Sequence, residues 1–188
     1  MGFTAEIIQN ALNTLQAEGS ILYPTDTIWG IGCDARSTIG VEKIYALKQR
    51  EDSKALICLV ADVMMLEKYV GPIDQQLIPY LGEERPTTII YPKVEGISNR
   101  LKAVDGSVGI RIAKDAFCQA LIQALGAPLV STSANSSGAK SPTSFDEITA
   151  EITDGVDAIV PLKQNEEQTQ ASRIIRLQAN GEIEILRP

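Results

Sequence analysis

The chain has 188 residues, 44% of them apolar, which is ample for one continuous core and bounds it to a single domain or a tightly fused pair. Its 17 Lys and Arg against 24 Asp and Glu leave a net charge of -7, so the surface as a whole repels a nucleic-acid backbone and any polyanion must be met by local cations. With no histidine and three widely spaced cysteines, Cys33, Cys58 and Cys118, the composition excludes Ser-His and Cys-His nucleophile pairs, histidine metal sites and a disulfide framework, and it fits buried thiols in a reducing cytoplasm.

Met1-Gly2-Phe3-Thr4 carries neither the basic region nor the apolar core of a signal peptide, and no stretch approaches the ~18 apolar residues of a membrane span; a cytoplasmic chain without membrane attachment is expected. Thr4 can cap a helix with Ile7, Ile8, Ala11, Leu12 and Leu15 on its apolar face, and Gly19 ends it before a strand over 21–23. Helical spacing over 41–48, a buried strand over 55–60 and a second helix over 63–70 follow. Residues 87–91 and 108–112 are β-rich, 117–125 is an amphipathic helix, and 129–130 is a strand end. The polar, aperiodic stretch 163–170 is expected to be an exposed loop. Segments 172–177 and 182–186 flank Asn180-Gly181, whose tolerance of positive φ predicts a hairpin with a type I′ turn. The fold class that results is α/β, a twisted sheet of mixed parallel and antiparallel strands with flanking helices, forming one domain over 1–188.

Two hydroxyl-rich segments stand where buried strands should end: Thr25-Asp26-Thr27, and the loop Ser131-Thr132-Ser133-Ala134-Asn135-Ser136-Ser137-Gly138. Ligands of open α/β sheets bind in such crevices, and hydroxyls, an amide and free backbone N–H groups suit a phosphate or carboxylate. Asp26 between two threonines also reads as a turn former. Lys48, Arg50 and Lys54 gather at a helix C-terminus, where a solvated helix end complementing the dipole is the simpler reading and a phosphate cradle the other. Arg111 sits in a strand that should be buried, so its guanidinium requires an anion, either a carboxylate side chain or a ligand.

These segments resemble the YrdC-like threonylcarbamoyl-adenylate synthases, in their short, single-domain form. The resemblance is carried by Tyr23-Pro24-Thr25-Asp26-Thr27-Ile28-Trp29-Gly30-Ile31-Gly32-Cys33-Asp34-Ala35, by Leu47-Lys48-Gln49-Arg50 with Lys54-Ala55-Leu56, by Val108-Gly109-Ile110-Arg111-Ile112, and by the second hydroxyl segment followed by Ser141-Pro142-Thr143. It implies a YrdC-like fold and the condensation of L-threonine, bicarbonate and ATP to threonylcarbamoyl-AMP and pyrophosphate, for modification of tRNA by downstream threonylcarbamoyl-transfer proteins. It also implies that Thr27, Arg111, Ser133 and Ser172 hold threonine, while Lys48, Arg50, Lys54, Ser107, Asn135, Thr143 and Arg187 hold ATP. Catalysis would rest on positioning by Lys48, Arg50 and Ser133 without an acid or base, and magnesium would arrive with the ATP rather than in a protein metal site. The chain departs from the family pattern at Glu84-Arg85-Pro86, at Ala113 and Asp115, and at Arg176, where the family shows an acid. Two other readings are a double-stranded RNA-binding module of the same fold, with weak RNA affinity, and a paralogue acting on another carbamoyl or acyl donor.

Overall fold

Helices begin where the chain supplies a short side-chain acceptor for an orphan N–H group. Thr4 accepts from Ile7 N at the start of α1 (Ala5–Gln16), Ser37 from Gly40 N at α2 (Thr38–Leu47), Asp62 from Met65 N at α3 (Val63–Val70) and Asp115 from Cys118 N at α5 (Ala116–Leu125). The cap at Ser37 starts α2 ahead of the apolar spacing that predicted it. The computed structural model describes residues 2–49, 56–167 and 171–188. Its remaining elements are β1 (Ile21–Tyr23), β2 (Gly30–Gly32), β3 (Ile57–Val60), α4 (Ile78–Gly82), β4 (Thr87–Tyr91), β5 (Val108–Ile112), β6 (Leu129–Ser133), α6 (Ala150–Gly155), β7 (Ala158–Ile159), β8 (Arg173–Leu177) and β9 (Ile183–Arg187).

The described strands form one sheet in the order β7-β1-β2-β6-β3-β5-β4-β8-β9. Three pairs are parallel (β1 with β7, β3 with β5, β4 with β8) and the others antiparallel, as the expected mixed sheet requires. Strand alternation sends Leu22, Ile31, Cys58, Val60, Val130 and Ile175 into a core with Val41, Ile44, Leu66 and Tyr69 of α2 and α3. The opposite face sends Ile21, Tyr23, Leu59 and Leu129 against Ala11, Leu15, Phe117, Leu121 and Ile122 of α1 and α5. Each large apolar side chain so buried contributes about 1.5–3 kcal/mol. The cysteines are free and buried, one in each of β3 and α5 and one just after β2, and burial pushes the Cys58 thiol up to about 12.

Three local expectations are corrected. The left-handed residue after α1 is Glu18 (φ 58), not Gly19; Gly19 is required for close approach, since a Cβ there would lie 2.8 Å from the Thr14 carbonyl oxygen. The hydroxyl segment from Ser131 to Ser133 is not loop but the second half of β6. The β8–β9 hairpin forms, yet only Gly181 (φ 84) of its Asn-Gly pair takes positive φ. Gly181 N donates to Gln178 O at 2.9 Å and Gln178 N to Glu182 O at 2.9 Å, a three-residue loop closed by one left-handed glycine instead of a type I′ turn. β2 carries no sequence signal, because Gly-Ile-Gly lacks strand propensity; its glycines serve packing, as a Cβ on Gly32 would stand 2.3 Å from the Val130 carbonyl oxygen.

Candidate functional site

The second face of the sheet changes character along its strands. Near α1 and α5 its inward positions are apolar, but the same alternation brings Ser131 and Ser133 of β6, Gly109 and Arg111 of β5, and Ile174 of β8 to that face. There the helices leave an open cavity of about 270 Å³. Thr27, Trp29, Arg111, Ser131, Ser133, Ser141, Ser172 and Arg187 are among its lining residues. It lies across the sheet face as well as at the strand ends where a ligand crevice was expected.

The turn between β1 and β2 is tied by Thr25, not by Asp26. Thr25 Oγ1 accepts from Thr27 N at 3.0 Å and Ile28 N at 3.2 Å and donates to Ile28 O at 2.8 Å. Asp26 is thereby turned toward Arg111, whose Nη2 lies 3.0 Å from its Oδ1, and Arg111 Nη1 donates to Thr27 Oγ1 at 3.1 Å. The buried guanidinium therefore has both a carboxylate partner and a place in the cavity wall. On β9, Arg187 donates from Nε to Ser172 O at 2.8 Å and from Nη2 to Ser172 Oγ at 3.0 Å, while Ser172 Oγ shares a 2.9 Å hydrogen bond with Thr88. Desolvation and then the like charge of Arg111 hold the Arg187 guanidinium below its ordinary value. Two guanidiniums in one cavity wall are chemically suited to an anion.

Lys48 is no solvated helix end. It is 1% exposed, and its ammonium donates to the carbonyl oxygens of Ser133 and Asn135, fixing the path of the chain as it leaves β6. Its own carbonyl accepts from Ser137 N at 3.1 Å, so the connection between α2 and the second hydroxyl segment is reciprocal.

Of the residues expected to hold threonine, the structure brings Thr27, Arg111, Ser133 and Ser172 together around one cavity. Of those expected to hold ATP, Arg187 joins them and Lys48 stands directly behind Ser133. Arg50 and Lys54 lie outside the described residues. Asn135 uses its amide to hold the Ser136 and Ala139 carbonyls, Thr143 bonds Glu147, and Ser107 bonds Asp105 in a separate depression of about 130 Å³ with Arg176. Ser131, Ser141 and Trp29 line the cavity too, although the motifs that contain them assign none of the three to a ligand. Ser131 was legible as the residue two before Ser133, on the same face once the segment is read as strand. Among the described residues no cluster of three or more His, Cys, Asp or Glu is placed to hold a metal ion, and no helix is long and apolar enough to cross a membrane.

Residues 13–188 match the Sua5/YciO/YrdC family profile, whose description reads "Telomere recombination". A threonylcarbamoyl-AMP synthase of Idiomarina loihiensis is 34% identical over 164 residues, covering 85% of this chain and 86% of that protein. Among solved structures, P. abyssi Sua5 complexed with L-threonine superposes with a TM-score of 0.88 at 23% identity, over 100% of this chain and 55% of that one. E. coli YciO superposes with a TM-score of 0.81 at 23% identity, over 99% of this chain and 90% of that one. The chain thus spans about half the length of the P. abyssi Sua5 it matches, and these structural likenesses concern the fold.

Proposed function

The chain belongs to the Sua5/YciO/YrdC family, and from that premise we propose that it condenses L-threonine, bicarbonate and ATP to threonylcarbamoyl-AMP and pyrophosphate. The observation that carries the reading is the convergence of Arg111 and Arg187 with Thr27, Ser133 and Ser172 on one cavity, an arrangement suited to a carboxylate and a phosphate held side by side.

The threonine amine adds to bicarbonate with loss of water, giving a carbamate. A carbamate oxygen then attacks the α-phosphorus, the bond from that phosphorus to the bridging oxygen breaks, and pyrophosphate leaves. Neither step requires histidine. The protein's part is to align carbamate and α-phosphate and to neutralise developing charge, which Arg111, Arg187 and the backbone fixed by Lys48 serve, with Arg50 and Lys54 assigned to the phosphates. The hydroxyls and guanidiniums that line the cavity are poor ligands for a divalent cation, so magnesium would be held by the triphosphate and water and would supply further neutralisation. The product, a reactive mixed anhydride, suits consumption in the cytoplasm by proteins that transfer the threonylcarbamoyl group to tRNA.

Incubation with ATP, L-threonine and bicarbonate, followed by mass spectrometry, tests this. The expected result is threonylcarbamoyl-AMP with one equivalent of pyrophosphate, both dependent on all three substrates. Equal turnover without threonine would overturn the assignment.

A further inference from the structure

Arg111 meets the cavity with its charge already engaged from behind. Its Nη2 lies 3.0 Å from Asp26 Oδ1, with the two side chains 2% and 9% exposed. Asp26 itself does not line the cavity. Its other oxygen accepts the Lys114 N–H at 3.3 Å, so the carboxylate is held both by the turn that Thr25 ties and by the chain leaving β5. The same turn sets Thr27 Oγ1 under Arg111 Nη1. One short turn therefore places a hydroxyl and a carboxylate on two corners of the guanidinium. The contact with Asp26 Oδ1 is one of charge without hydrogen-bond alignment, and among the described residues Arg111 Nε has no partner, so the fork is pinned without being saturated.

Electrostatics gives the pin a second consequence. Arg187 faces the same cavity and stands within the field of Arg111. Two bare guanidiniums would retain any compact anion, released pyrophosphate included; one cancelled from behind leaves a cavity in which geometry decides.

We propose that Asp26 is a positioning residue that makes the cavity selective for an amino-acid carboxylate over a compact inorganic anion, by fixing the Arg111 fork and cancelling its excess charge. The inference rests on the function proposed above, with threonine as the amino acid.

The test titrates L-threonine and inorganic phosphate separately against the wild type and Asp26→Asn, with thermal unfolding to verify the fold. Loss of alignment is expected to weaken threonine by about tenfold to a hundredfold, while the uncancelled guanidinium tightens phosphate. A second variant, Asp26→Glu, keeps the charge but displaces it by one methylene; it should weaken threonine and leave phosphate as in the wild type. Phosphate affinity unchanged or weakened in Asp26→Asn, or threonine affinity not weakened in either folded variant, would overturn the inference while leaving the proposed function standing. A wild type that binds no threonine would overturn both.

Discussion

At the scale of single residues, β6 and the turn after it separate contact from support. Ser133 lines the cavity, whereas Asn135 is not among the lining residues and its amide nitrogen holds the Ser136 and Ala139 carbonyls. Ser133→Ala should therefore weaken the bound ligand by about 1 kcal/mol with unfolding unchanged, and Asn135→Ala should lower stability by about 1–2 kcal/mol, with any loss of ATP affinity following from the loosened turn. Isothermal titration paired with urea denaturation distinguishes the two, and equal ligand losses at equal stability would refute the division. Arg111 was legible from sequence because a guanidinium in a buried strand demands an anion. Its partner Asp26 was not, since the turn chemistry of a Thr-Asp-Thr run attributes the turn to either residue type until the hydrogen bonds of Thr25 are seen. The burial of Lys48 is not legible for a similar reason: a helix end is usually wet, and only the return of the chain after β6 buries this one.

At the scale of elements, the helices α1, α2, α3 and α5 and the strands β1, β3, β4, β5, β8 and β9 were readable because periodicity, caps and turn residues are local properties. β2, α4, α6 and β7 were not, being short, with β2 and β7 paired to strands distant in sequence. β2 exists because glycine lets it fit between β1 and β6. Gly32→Ala would drive a methyl group into the Val130 carbonyl oxygen, so we expect about 3 kcal/mol of destabilisation, measured by chemical denaturation. The edge strand β7 is tied in by Asp157, whose Oδ2 accepts from Ser20 N at 2.7 Å and Ser20 Oγ at 3.1 Å. The Ser20 backbone N–H, and then its hydroxyl and Lys43, hold this carboxyl below its ordinary value of 3.8. A carboxyl depressed in the folded state stabilises above its unfolded value and loses that contribution as pH falls through the folded one. Asp157→Asn should thus be less stable than the wild type at neutral pH, with the gap closing below about pH 4. Thermal melts across that range check it, and a gap that widens with acid would contradict the assignment.

At the scale of the whole molecule, a net charge of -7 surrounds a cavity that carries two guanidiniums. Such a surface should attract a small anion only at close range and repel a long one, so double-stranded RNA is expected to bind more weakly than ATP at physiological salt, as gel retardation beside nucleotide titration would show. The sheet itself has a seam: β6 lies between β2 and β3, joining a segment that begins at Ile21 to one that begins at Ile57 through residues first reached at Leu129. Contacts so distant in sequence close slowly, on the order of milliseconds to seconds. The one tryptophan of the chain, Trp29, is fully buried at this seam, 5.1 Å from the Phe145 ring, and forms part of the cavity wall. Its fluorescence is consequently a built-in clock for assembly of the site. In stopped-flow refolding it should shift to the blue in a phase later than helix formation seen by far-ultraviolet circular dichroism, timing the moment at which the cavity comes into being.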